Sequence, residues 1–490
     1  MPAIFRILRS QPIKATLVAA TIGAAAGCSA DFDTQDKVKT LRVFGVQSDF
    51  PYAAPTLDPN SPSEVKLTML SHNALPSDAG ALPIQRLWFS GCDDLPGDQY
   101  FTCLARMAVL WQLYTSKPDR LALKDCEQAE CGRDTWWSPV DDLPPDCLVN
   151  DVPGCVSASD RNVALSDLLK QVNPALPVDL AVAYFSTYRI GAGERFTYPI
   201  PPGIVENHAP TTPGTPPYGV AFVFFTACAG HIDLAPEWAS LRLGTNLRDA
   251  TLGFPFLCRD GTGTVVSDDE RNGTLVPTGT GTPLDSDYFV GGYAQQFVYS
   301  DPSVNKNPVI DGVAFNGITY SFEASTGTVT TPHLKDGKPE IVDEQPVLDA
   351  VDSSIVCFDS GCVPESAAAI DCTDPNVPHV KACSDHCPKY ELFPLMDPGK
   401  NNDIDTFSSG SGGIVGEQMW IDYYSDRGEF DGPAKSLRDA SLGWLPTTQN
   451  HDIGEKWSPP SDVRPALLWA VVHDSRGGTA WLRLQVCVTP

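Results

Sequence analysis

The chain has 490 residues, 42% hydrophobic and 19% charged, with 15 cysteines and a formal charge of −27. That balance excludes wholesale disorder, and 61 acids against 34 bases exclude nucleic acid, whose binders need basic patches to replace counterions. So many cysteines exclude an ordinary reducing cytosol unless they hold metal or perform redox chemistry.

At the N-terminus, Arg6, Arg9 and Lys14 form a basic region with no acid among them. Ala15 to Ala26 follow as 12 uncharged residues, the length of a signal-peptide core and short for a bilayer span. The stretch ends in Ala25-Ala26-Gly27-Cys28, which resembles the lipobox of bacterial lipoproteins, with Ala25 where leucine is usual. The resemblance implies cleavage of residues 1–27 and lipidation of Cys28; an ordinary cleaved signal or an uncleaved anchor is the alternative. Lipidation leaves 14 cysteines, an even number, and loss of three basic residues takes the charge from −27 to −30. By the sorting rule known from enteric bacteria, Ser29 favours the outer membrane. Residues 28–39 read as a polar tether.

Beyond it the pattern is β. Leu41 to Val46 and Leu87 to Phe89 are short β-rich runs, and Val65 to Met69 alternates with one face buried. Ala181 to Tyr188 and Gly219 to Cys228 read as strands; the second is apolar almost throughout and suits a sheet centre covered on both faces. Phe289 to Tyr299 reads as a closing strand with a glycine bulge. Residues 92–175 read as a cysteine-rich insertion with helical stretches at 104–114 and 159–173. Six prolines mark 201–217 as an extended loop. A second unit opens at Asn307-Pro308-Val309-Ile310, carries a cysteine-rich loop at 357–387, and ends in a hairpin. In that hairpin Ala466–His473 is apolar, residues 474–478 turn, and Leu482, Leu484 and Val486 alternate with Arg483 and Gln485. Residues 247–254 and 437–444 agree at six of eight positions. The same offset of 190 lays Phe289–Tyr299 on the last strand, which suggests two related units.

In an exported chain the default fate of the cysteines is disulfides. Local spacing suggests Cys92–Cys103, Cys126–Cys131, Cys147–Cys155, Cys228–Cys258 and Cys357–Cys362, with two bridges among Cys372, Cys383, Cys387 and Cys487. The alternative is a zinc site drawn from Cys372, His379, Cys383, His386 and Cys387, whose spacing is not a standard ligand pattern.

Enzyme signatures for metalloproteases, serine hydrolases and phosphate-binding loops are missing. His473-Asp474-Ser475 offers triad residue types, but adjacent in a turn they read as turn-formers. Asp403 and Asp405, and the cluster at 268–272, supply oxygens of the kind calcium takes, without the calcium-loop pattern. Trp136 and Trp137 lie side by side in the insertion as candidate binding aromatics, because neighbours on an extended chain face opposite ways. Trp420 reads as core.

Glu417 to Tyr424, Gly428 to Asp431, and Leu468 to Asp474 with Gly477-Gly478 resemble Ig-like or PKD-like extracellular modules. With an opening strand like Thr40–Val46 and cysteine-rich insertions, the chain is similar to a group of envelope lipoproteins of predatory or gliding bacteria. The resemblance implies a mainly β fold of two tandem Ig-like sandwiches, at 40–302 and 303–490, on a lipid-anchored, surface-facing protein. The function expected is non-catalytic binding or structure, with a protein or glycan partner; the alternative is an exported hydrolase acting on polysaccharide. No cofactor is expected beyond calcium.

Overall fold

The computed structural model describes residues 36–57, 61–75, 84–93, 110, 136–138, 188–207, 217–235, 254–259, 284, 286–300, 305–323, 328–332, 334–335, 338–339, 372–373, 377–401, 417–439, 442–445 and 453–490. The chain is mainly β, in several sheets.

The strands of the first part are β1 Leu41–Ser48, β2 Tyr52–Ala53, β3 Glu64–Asn73, β4 Gln85–Asp93, β5 Trp136–Trp137, β6 Ile190–Ala192, β7 Arg195–Pro199, β8 Tyr218–Cys228, β9 His231–Leu234, β10 Phe256–Arg259 and β11 Phe289–Tyr299. They build a three-stranded sheet (β1-β3-β7), a six-stranded sheet (β2-β11-β8-β4-β6-β5) and a β9–β10 hairpin. The second part contributes β12 Gly312–Phe315, β13 Ile318–Glu323, β14 Thr328–Pro332, β15 Leu334–Lys335, β16 Lys338–Pro339, β17 His379–Lys381, β18 Tyr390–Leu395, β19 Met419–Ser425, β20 Glu429–Phe430, β21 Ala434–Asp439, β22 Gly443–Trp444, β23 Glu455–Ser458, β24 Ala466–Asp474 and β25 Thr479–Thr489. All of these except the small β15–β16 pair join one twelve-stranded sheet, ordered β20-β23-β18-β12-β13-β14-β25-β24-β19-β21-β22 with β17 beside β25.

Two cores follow from strand alternation. Val65, Leu67 and Met69 of β3 and Phe196 and Tyr198 of β7 meet Trp88, Val223, Phe225, Ala227 and Val298 of the six-stranded sheet. Trp88 stacks on Phe196 at 5.7 Å, and its indole N–H donates to Gly193 O at 2.7 Å. The large sheet curls around its own cluster, where Leu468, Ala470, Val472, Leu482, Leu484 and Val486 face Val313, Leu392 and Trp457.

A third cluster joins the two systems. Phe44 and Leu70 pack with Trp469, Val471 and Trp481, which project from the opposite face of the β24–β25 hairpin. A register shift between Val43 and Gly45 makes this geometry possible. The extra residue reverses the parity of β1, so Leu41, Val43 and Val46 serve the first core while Phe44 turns to the hairpin. Phe44 lies 4.8 Å from the rings of both Trp469 and Tyr424. Gly45 sits where a Cβ would come within 3.3 Å of Thr479, so its bareness allows the close approach. Polar groups close the same seam. Asn307 donates to Ser48 O at 2.6 Å and accepts from Thr479 N at 3.1 Å, and Asp36 Oδ2 accepts from Phe430 N at 3.1 Å.

Several sequence expectations meet the structure here. The terminal hairpin forms, with both faces buried, and β8 lies inside its sheet. The glycine bulge expected in β11 does not form: its register against β8 is unbroken from Phe289 to Tyr299. Gly291 and Gly292 instead make room for the rings of Phe254 and Phe225, which a Cβ would approach to 2.9 and 2.6 Å. The loop at 201–217 contains one helical turn, α1 Ile204–Asn207. Of the helix expected over 104–114, Leu110 is described and is helical and buried; the helix expected over 159–173 lies outside the described residues, as does the strand expected over 181–188 except Tyr188, which is buried and precedes β6 outside any strand. The offset of 190 maps β11 onto β25, both 11 residues long. The first copy of the eight-residue repeat lies outside the described residues except Phe254.

Trp469 is fully buried at this seam. Trp469→Ala is expected to cost about 3–5 kcal/mol, the transfer of a large ring plus its cavity. Urea denaturation reads this as a lowered midpoint; an unchanged midpoint would show that the seam contributes nothing to folding.

Candidate binding face and buried polar clusters

The hairpin tip gathers four charged side chains out of water. Glu417 and Asp474 are each 4% exposed, Arg438 5% and Arg476 8%. Arg476 Nε lies 3.3 Å from Glu417 Oε1, and Arg438 donates to Glu417 O at 3.2 Å. Asp474 Oδ1 accepts from the N–H groups of Arg476 (2.8 Å) and Gly478 (2.7 Å), which builds the turn. Burial raises the Asp474 carboxyl above its ordinary range, against those backbone hydrogen bonds and a hydrogen bond with Glu417. Two acids and two arginines thus balance one another beneath the turn. Both carboxyls are buried beneath the turn and set against protein groups, whereas a glycosidase pair faces a groove that admits substrate.

His473-Asp474-Ser475 does not assemble a triad. His473 Nε2 points to Asp422 at 3.4 Å, and its ring stacks on half-buried Trp420 at 5.3 Å. Ser475 exchanges hydrogen bonds with the main chain of Gln418. Asp474 forms the turn.

At the seam between the sheets, His72 of β3 lies against the Trp469 ring at 4.7 Å, with Nε2 3.8 Å from Asp426 Oδ2. That separation is too long for a hydrogen bond, and burial dominates. Burial and the charge of Arg483 push His72 down to about 4, and burial pushes His473 down to about 4. Burial lifts Asp426 to about 6, against the hydrogen bond from Leu467 N and the charges of Arg427 and Arg464.

The structure joins Cys228 to Cys258, Cys372 to Cys487 and Cys383 to Cys387. Cys92 is also disulfide-bonded. These bridges consume the sulfurs from which a zinc site was drawn, and His386 stands 95% exposed. Closing 115 residues, Cys372–Cys487 contributes about 4–5 kcal/mol by the chain-entropy argument. Cys28, Cys103, Cys126, Cys131, Cys147, Cys155, Cys357 and Cys362 lie outside the described residues, as do the cluster at 268–272 and Asp403 and Asp405. Asn401, just before the latter pair, is structural: it bonds both the N–H and the C=O of Val309.

The outer face of the six-stranded sheet is aromatic. Register places Ile190, Phe89, Phe224 and Tyr293 in one cross-strand row over four strands; β5 extends the sheet beyond β6, its backbone pairing Trp136 with Gly191 and Trp137 with Ile190. The β9–β10 hairpin stacks Phe256 on Phe89 at 4.7 Å. Toward β11 the face opens: Tyr293 is 53% exposed and rests on Phe222 (5.7 Å) and Phe224 (5.9 Å). Sequence reasoning picked Trp136 and Trp137 and passed over Tyr293. The signal was present in β11 itself, an aromatic strand with no charged residue in a very acidic chain. No family model matches the chain, and no curated protein matches it.

A histidine held below its unfolded value binds its proton late in the folded chain, so stability falls as pH drops from 6.5 toward 4. His72 and His473 each remove up to about 3 kcal/mol over that window. Asp426, held above its unfolded value, acts the other way between pH 6 and 4 and offsets roughly one of them. Urea titrations at pH 7, 5.5 and 4.5 are expected to show a smaller loss of stability on acidification in His72→Gln than in the parent, by about 2 kcal/mol at pH 4.5. Equal slopes for parent and variant would rule out His72 as the titrating group.

Proposed function

We propose that this chain is an exported, lipid-anchored protein of the bacterial envelope, outer membrane and surface-facing, with a non-catalytic binding or structural role toward a protein or glycan. Its architecture in this reading is two tandem Ig-like sandwiches, 40–302 and 303–490, raised from the membrane on the tether after Cys28. The observation that carries the reading is the open aromatic end of the six-stranded sheet at Tyr293, on a scaffold pinned by disulfides. Disulfides belong to extracytoplasmic proteins. Among the described residues no helix is long and apolar enough to cross a membrane; the anchor in this reading is the lipid, with several acyl chains needed for stable attachment. The buried carboxylates support a binding role too. Asp474 holds a turn, Glu417 answers Arg476, and Asp426 caps Leu467 N at 2.8 Å, so each has structural work away from any substrate.

Crosslinking on intact cells, with partners identified by mass spectrometry, tests the binding role. Recovery of the chain alone at every crosslinker length counts against it. Cys28→Ala is expected to move the protein from the membrane to the soluble fraction. Unchanged fractionation would sink the lipid anchor, and a chain untouched by external protease would sink the surface position.

A further inference from the structure

The phase of the β8–β11 ladder fixes which backbone groups of β11 are free. Ala229 donates its N–H to Tyr288 O at 2.9 Å, one step before Phe289 faces Cys228. Bonded and non-bonded pairs alternate along an antiparallel ladder. Phe289, Gly291, Tyr293 and Gln295 therefore turn their N–H and C=O groups away from β8. On that side β2 pairs with Phe297 and Val298, and among the described residues no strand runs along 289–295. Gly291, Tyr293 and Gln295 are exposed, in step with this phase. Edge strands in natural proteins are blunted by lysine, proline, a bulge or shortness. β11 has 11 residues, no charge, no proline and an unbroken register.

We propose that β11 is a docking strand, where an extended, lysine- or arginine-bearing segment of a partner protein adds to the six-stranded sheet. Unsatisfied alternating donors and acceptors are matched by another extended backbone, and strand addition uses them for affinity. Charge selects the occupant. The chain carries −27, and exposed Asp287 stands just before β11, so a second copy brings like charge while a cationic segment is drawn in. Tyr293, seated on Phe222 and Phe224, gives alternate side chains of the incoming strand an aromatic platform.

The proposal rests on the binding role above and names its site. The test uses the whole protein and a fluorescent peptide of four Thr-Val repeats flanked by paired lysines, read by anisotropy. That peptide is expected to bind at least tenfold tighter than a glutamate-flanked version, and at least tenfold tighter than one N-methylated at alternate amides. Tyr293→Pro removes an outward N–H and no bond to β8; Tyr293→Lys places a like charge on the edge. Each is expected to weaken binding at least tenfold with Tm unchanged. Failure of the lysine-flanked peptide to bind overturns the proposal, as does equal binding by all three peptides or parental affinity in both variants. A dimer in sedimentation that Tyr293→Pro disperses overturns it in favour of a second copy. If Tyr293→Pro still crosslinks to the parent's partner on cells, the docking strand falls and the binding role stands.

Discussion

The β24–β25 hairpin is apolar on both faces, and such a hairpin must be covered twice. One face fills the core of the curled twelve-stranded sheet with Leu468, Val472, Leu482 and Leu484. The other presents Trp469, Val471 and Trp481, and among the described residues the first part of the chain covers it through Phe44 and Leu70. Each such side chain taken from water gains roughly 1.5–3 kcal/mol before ordering costs. The two sheet systems are thus joined by a shared wall, and the bulge in β1 is its condition. Were the same residues to run as a regular strand, Phe44 and Val46 would share a face, and one of the two cores would lose its side chain.

Apolar contact alone leaves such a joint free to slide, and the polar groups around it restrict that freedom. Asn307 ties Ser48 to Thr479, while Gln47 Nε2 donates to Thr479 O at 2.5 Å. Asp36 reaches Phe430 N, and Lys37 bridges to Ser425, so the chain leaving the tether is sewn to the far sheet. The four charges beneath the hairpin tip act within the second sheet, on the turn itself. Burying two acids and two arginines yields little net stability, but removing any one strands its partner in a dry site. Their effect is to define one turn.

Strand existence was legible where alternation was strong. Leu482, Leu484 and Val486 against Arg483 and Gln485 announced β25, and the unbroken apolar run of β8 announced a strand covered on both faces. Spacing also grouped the cysteines that form the three described bridges. The seam was illegible because its cause is not periodic. A bulge adds one residue, and nothing in Val43-Phe44-Gly45 distinguishes it from an ordinary strand. Gly291 and Gly292 invited the opposite error, since they read as a bulge when each makes space for a ring. His473 read as a turn-former by its neighbours in sequence. Its true neighbours, Trp420 and Asp422, come from β19 across the ladder. The open edge was missed because freedom of a strand belongs to sheet order, which alternation does not encode.

The acidity of the chain and the bareness of β11 are connected. A neutral, partly aromatic edge such as 289–295 is a hazard in most proteins, because identical edges pair. Among the described residues no charge, proline, bulge or neighbouring strand protects 289–295, yet every approaching copy carries the same excess of acid. At physiological ionic strength the screening length is about 8 Å, so repulsion acts only near contact, which is where edge pairing would begin. Charge spread over the whole surface can therefore do what a lysine on the strand does elsewhere, and it discriminates differently. A lysine on the edge would repel cations and obstruct every strand alike. Diffuse negative charge rejects the chain's own copies and leaves the edge readable to a segment of opposite sign.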